Sequence, residues 1–209
     1  MLSGTTPLLD YWVATRPMPG QSESGDQFLV TPFPDGVLVA VVDGLGHGDE
    51  AAFAAKTAIA TLAAHAGEPV VALVQHCHAA LKRTRGAVMS VASCNAIDHS
   101  MTWLGIGNVE GMLVHSNVPA KGKPASLLLR GGIVGDRLPT LLPATLPLQA
   151  GDLLVFATDG IHSAFVRNIH YTEHPHELVH RIFSEHGRDT DDALLLGARW
   201  TNGEMISNG

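Results

Sequence analysis

The chain is predicted to fold as a single α/β (α+β) domain spanning 1–209, with mainly antiparallel sheet flanked by helices. Three observations carry this. Residues 37–42, VLVAVV, form an unbroken aliphatic run of the kind found in a strand buried on both faces. Residues 49–66 and 70–81 carry apolar side chains at helical spacing, whereas from Ala87 onward the period shortens to that of strands. The length of 209 residues suits one domain with a full core.

In chain order, 11–15 and 27–31 read as strands around a polar segment, which leaves Asp26 at the start of the second. Pro32-Phe33-Pro34-Asp35-Gly36 is a tight connection into 37–42, so these strands are expected to pair as a hairpin with Asp26 and Asp43 at the same end. Gly44, Gly46 and Gly48 follow Asp43, letting the backbone take positive φ and approach an ion closely. The helix predicted over 49–66 has Asp49 and Glu50 in its first turn, where their charge suits the helix dipole. Ala52, Ala55, Ile59, Leu62 and Ala66 make its packing stripe. The next helix puts Val70, Leu73, Val74, Cys77 and Leu81 on one face, with Gly86 as its cap.

Residues 87–96, 101–106 and 111–114 then read as a meander, 117–124 as a polar loop, 126–130 as a strand and 131–135 as a turn. Prolines argue against helix in 138–148. The apolar run 153–157 ends at Asp159-Gly160 before a short helix, and Arg188-Asp189-Thr190-Asp191-Asp192 leads into a last strand, 193–198.

Asp43-Gly44 alone would read as a turn. A dinucleotide-binding turn fits less well, because the spacing is G-x-G-x-G and Ala63-Ala64-His65 stand where a ribose-binding acid belongs. Recurrence favours a third reading. Asp26, Asp43, Asp159 and Asp191/Asp192 all stand at strand ends, and carboxylates so placed are oxygen donors for hard cations. A formal charge of -7 argues against nucleic acid as a partner. No apolar stretch reaches the roughly 18 to 20 residues that span a bilayer, so no membrane role and a cytoplasmic location are expected. Cys77 and Cys94 lack metal or redox spacing and read as buried thiols. The rival from another class is a zinc or nickel module built on His170, His174, His176, His180 and His186, of which His176 and His180 have chelating i, i+4 spacing. A solvated helix face is the plainer account, since no cysteine is interleaved.

The segments SGD (24–26), DGLGHG (43–48), TRGA (84–87), GIGN (105–108), GIVG (132–135), ATDG (157–160) and RDTDDA (188–193) occur in the order seen in bacterial metal-dependent PP2C-type phosphatases of the SpoIIE branch. The chain resembles that branch over nearly its whole length. The resemblance implies a four-layer αββα sandwich, with two central sheets flanked by helices. It implies two Mn²⁺ or Mg²⁺ ions, with Asp43 bridging them and the Gly44 carbonyl binding one. Asp159 and Asp191 would hold the other, and Asp26 would act directly or through water. Asp43, Asp159 and Asp191 are thereby the implied catalytic set, and Asp192 falls outside it. The implied reaction is hydrolysis of phosphoserine or phosphothreonine by hydroxide shared between the ions, attacking phosphorus in line with no covalent phosphoenzyme.

The implied partner is a phosphorylated STAS-domain protein of a bacterial stressosome or partner-switching module. A monomer would dock it through loops such as 44–48 and 117–124. Three departures from the family pattern matter. Gly25 stands where many members have Glu, so one ion is expected to bind more weakly, and Gly25→Glu to tighten it. Gln21 stands where eukaryotic members grip phosphate with Arg, leaving Arg16 or Arg85 as substitutes. Leu45 replaces an imidazole, leaving His47 as a proton donor to the leaving group or a loop residue. These departures keep open a further alternative, a PP2C-fold binding module without turnover.

Overall fold

The computed structural model describes residues 1–116, 124–169 and 173–201. Its elements are β1 (Leu2–Thr5), β2 (Leu9–Arg16), β3 (Asp26–Phe33), β4 (Gly36–Gly44), α1 (Asp49–Ala64), α2 (Val70–Ala80), β5 (Ala87–Asn95), β6 (Ser100–Ile106) and β7 (Glu110–Val114). They continue with β8 (Ala125–Ser126), β9 (Leu129–Arg130), β10 (Ala144–Pro147), β11 (Leu153–Ala157), a 3-10 turn (Ser163–Asn168), α3 (Pro175–His186) and β12 (Ala193–Trp200). One sheet runs β1-β2-β12-β11-β7-β8; the other runs β10-β6-β5-β4-β3, with β9 parallel to β6.

Side-chain alternation explains the layers. Along β4, Val37, Val39 and Val41 enter a core shared with Phe156, Leu194 and Leu196 of the opposite sheet. Leu38, Ala40 and Val42 point the other way and are covered by α1 and α2. On the far side, Val155 and Leu195 are covered by Leu178, Val179 and Ile182 of α3. The result is helices, sheet, sheet, helix, which is the four-layer sandwich expected. No helix among the described residues is long and apolar enough to cross a membrane.

The β3–β4 hairpin forms as predicted, with Asp26 opposite Asp43. α1 is short-chained where it meets the sheet, and a Cβ on Gly44 would collide with the Ala51 carbonyl. That glycine is therefore required by close approach, while Gly46 (φ 93°) and Gly48 (φ 72°) supply the positive φ. The predicted stripe of α2 is buried in full. Gly86 is not its cap: Leu81 ends the helix in right-handed conformation, and Gly86 (φ 81°) turns the chain into β5.

Two further expectations are corrected. The meander breaks after β6, because Gly107 (φ 88°) redirects the chain and β7 pairs with β11 in the other sheet. Residues 111–114 are buried on both faces, so their apolar pattern suits either sheet. The strand expected at 126–130 divides, with Ser126 pairing Met112 in one sheet and Leu129 pairing Gly105 in the other. It crosses between sheets instead of extending one. The 117–124 loop, apart from Pro124, and His170 lie outside the described residues.

Candidate active site

Four strand ends meet at one end of the sandwich. Asp26 and Asp43 face each other across β3 and β4. Asp159 follows β11 and Asp191 precedes β12, and antiparallel pairing of those strands sets the end of one beside the start of the other. A Cβ on Gly160 would collide with the Asp192 carbonyl, so the Asp-Gly turn and the 191–192 corner can meet only through glycine. The Thr158 hydroxyl joins the sheets: it donates to Asp26 Oδ2 at 2.7 Å and accepts from Leu194 N–H at 2.9 Å. Asp43, Asp159 and Asp191 line an open cleft of about 570 Å³, together with His47 and Asn108. Asp26 lies beneath, 3% exposed.

The electrostatics are those of like charges forced together. Burial, followed by the Asp43 charge, pushes Asp26 well above the ordinary carboxylate range. Asp43 is pushed up to about 8, by burial first and then by Asp159, Asp191 and Asp192. Asp159 is raised by burial and Asp191, against the opposing charge of Arg188. Such a group lacks enough positive charge of its own, and its donors are all oxygen, so it suits hard divalent cations.

The adjacent acids Asp191 and Asp192 have different surroundings. Asp192 is buried, accepting from Met18 N–H at 2.7 Å through one oxygen and from Gly25 N–H at 2.8 Å through the other. It braces the 18–25 segment against β12, while Asp191 faces the cleft. This also alters the expectation for Gly25. A Cβ there would stand 3.0 Å from both Ala51 Cβ and Asp192 Oδ2, so glutamate would crowd the brace.

Of the two cations considered as phosphate grips, Arg16 is engaged outside the cleft. It pairs with Asp189 at 2.8 Å, donates to the Arg188 carbonyl and covers the Phe183 ring. Arg85 pairs with Glu50 and lies against Gly46 in the cleft-lining turn. Gln21 Nε2 lies 3.5 Å from His47 Nδ1, beside the same turn. Three residues had no assigned role in the sequence reading although each sat inside a quoted motif. Asn108 donates to Asp159 Oδ2 at 2.8 Å, Thr158 holds Asp26, and Arg188 is the cation acting on Asp159.

The C-terminal histidines do not form a shared site among the described residues. His174 caps α3 by accepting from His176 N–H and meets Trp12 edge-on; His176 and His180 are exposed. Histidines do meet elsewhere: ligand atoms of His65, Glu68 and His76 lie within 4.8 Å of one another, a group not apparent from the sequence.

The layered fold and the acidic cleft define a PP2C-type phosphatase. The family model described as Stage II sporulation protein E (SpoIIE) matches residues 34–201, and the chain belongs to that family. Among individual relatives, it is 27% identical over 152 residues to phosphoserine phosphatase RsbX of Bacillus subtilis (strain 168), covering 71% of this chain and 73% of that one. A solved structure described as "The bacterial stressosome: a modular system that has been adapted to control secondary messenger signaling" contains a chain that is 34% identical, with a TM-score of 0.80 over 91% of this chain and 99% of that one. A crystal structure of RsbX in complex with magnesium superposes with a TM-score of 0.85 at 21% identity, over 96% and 99% of the two chains.

Proposed function

We propose that residues 1–209 form a single-domain, monomeric Mn²⁺- or Mg²⁺-dependent protein serine/threonine phosphatase. It would act in the cytoplasm on a phosphorylated STAS-domain protein of a stressosome or related partner-switching module. The observation that carries the chemistry is the convergence of Asp43, Asp159 and Asp191 on one open cleft, with Asp26 buried beneath them opposite Asp43. Likeness to phosphoserine phosphatase RsbX, and to a chain from work on the bacterial stressosome, supports the substrate class.

Asp43, central among the carboxylates, would hold two cations, aided by the Gly44 carbonyl; Asp159 and Asp191 would complete one site, and Asp26 would contribute directly or through water. Such ions, when bound, neutralise a phosphate monoester and lower the pKa of water. The remaining steps belong to the chain. Asn108 orients Asp159, and Thr158 orients Asp26 from the second sheet. Arg188 and Arg85 border the carboxylate end and can attract the incoming phosphate. His47 lines the cleft and can pass a proton to the departing serine or threonine oxygen.

The test compares kcat/KM for an intact phosphorylated STAS protein and for a peptide bearing its phosphosite, with Mn²⁺ present and then chelated. Metal-dependent turnover and a strong preference for the intact protein are expected, because most docking contacts vanish with the fold. Equal values would remove the substrate assignment while leaving the phosphatase. Gly25 and Gln21 favour a second reading, a binding module without turnover, which metal-dependent phosphate release would exclude.

A further inference from the structure

We propose that His65, Glu68 and His76 form a binding site for a divalent transition-metal ion of the zinc class, separate from the carboxylate cleft. The site lies where α1 turns into α2. His65 is the C-cap of α1, and Glu68 donates its N–H to the His65 carbonyl at 2.8 Å, which fixes the turn. His76 comes from the second turn of α2, a helix anchored by buried Val70, Leu73, Val74 and Cys77. The three side chains thus project from packed backbone.

Their arrangement suits chelation. His65 Nδ1 lies 2.8 Å from one Glu68 oxygen, and His76 Nε2 lies 2.9 Å from the other. The imidazoles are stacked, with centroids 4.1 Å apart and planes 13° from parallel, and each turns one nitrogen toward the same carboxylate. One ligand atom from each residue falls within 4.8 Å of the others. Zinc bonds to nitrogen and carboxylate oxygen are about 2.0–2.2 Å, so ligand atoms around one ion stand roughly 3.3 Å apart. Side-chain rotation closes the difference. All three side chains are 37–42% exposed, which leaves room for that rotation and a path for the ion. Hydrogen bonds from His65 and then His76 hold the Glu68 carboxyl below its ordinary range, so it stands ready as an anion.

Donor type separates this site from the cleft. Two imidazoles and one carboxylate favour zinc-like ions, whereas the all-oxygen cleft favours magnesium or manganese. The 16 residues of α1 put about 24 Å of helix between them. An ion at the turn would clamp α1 to α2 without entering the phosphatase chemistry.

The experiment uses the tag-free full chain with excess Mg²⁺ to occupy the cleft, Zn²⁺ alone as the probe, and a chromogenic chelator as competitor. One zinc equivalent should be retained, with affinity falling at least about ten-fold in both His76→Gln and Glu68→Gln. Asp43→Asn should keep that zinc, and His76→Gln should keep Mn²⁺-dependent phosphatase activity. With Co²⁺, the unmodified chain should show visible absorption bands that His76→Gln lacks. Absence of retained zinc, zinc affinity unchanged from the unmodified chain in both ligand variants, or loss confined to Asp43→Asn would overturn the site. The first would leave only a hydrogen-bonded clamp, and the last would put the ion in the cleft.

Discussion

At the N-terminal end of α1, Asp43 and its neighbours are carboxylates pressed together by the fold, and burial with mutual repulsion drives their proton affinities up. At the other end of the same helix, Glu68 sits between two imidazoles that satisfy it, and its proton affinity falls. Both places gather ligand-type side chains, but only the first is electrostatically incomplete without a cation. The difference teaches that proximity alone does not create demand for a metal. An ion entering the cleft relieves repulsion, whereas one entering the His65–Glu68–His76 group must replace hydrogen bonds already made.

The sharpest way to break this contrast is Asp43→Asn. It should lower Mn²⁺-dependent kcat/KM by at least about 100-fold, beyond the range usual for residues that only support a metal ligand. A matched His76→Gln variant should leave phosphate release unchanged. Similar losses in the two variants would erase the distinction between the ends of α1.

Asp192 tests whether an acid beside the cleft acts as a brace. Asp192→Ala removes the acceptor for Met18 N–H and Gly25 N–H, and should cost about 1–3 kcal/mol of stability in denaturant unfolding. Gly25→Glu should destabilise in the same direction, since its Cβ would press on Asp192 and Ala51. A Gly25→Glu protein with unchanged stability and tighter Mn²⁺ binding would restore the expectation drawn from the family pattern.

Asn108→Ala leaves Asp159 without its side-chain donor and should reduce kcat/KM about ten-fold, with little change in unfolding. Steady-state kinetics at saturating Mn²⁺ reads this directly. An unchanged rate would show that Asp159 needs no such orientation.

The smallest expected effect is on melting temperature. In metal-free protein the folded state holds protons on Asp26 and Asp43 that the unfolded chain gives up in the ordinary carboxylate range. Their contribution is therefore present at low pH and is lost as pH rises toward about 8, the value to which Asp43 is pushed. Tm should fall by a few degrees over that window in chelator, and Mg²⁺ should restore it increasingly as pH rises. Asp43→Asn should flatten both trends. A pH-independent Tm in chelator would deny that the cleft is strained by its own charge.

Much of the framework was legible because it is local. The short 32–36 connection sets the β3–β4 register and so places Asp26 opposite Asp43. The β4 run and the α2 stripe announce burial through their spacing, and both are buried as read. Asp159 and Asp191 could be placed at strand ends for the same reason. What lies between distant segments was not written in any period. An apolar pattern says that residues 111–114 are buried, not that β7 joins β11 instead of continuing beside β6. Two neighbouring aspartates look equivalent until Gly25 and Met18, far away in the chain, take both oxygens of Asp192. The Thr158 hydroxyl reaches Asp26 across the two sheets, and His65 and His76 meet over Glu68 because α2 folds back on α1. Sequence thus determined the elements, the pairing across one tight turn and the identity of the acidic strand ends, since these follow from local dihedral preference and side-chain period. Tertiary structure decided which sheet each later strand joined, which acids faced the cleft and where the histidines gathered, because those outcomes depend on packing and hydrogen bonds between segments that only the closed fold brings within reach.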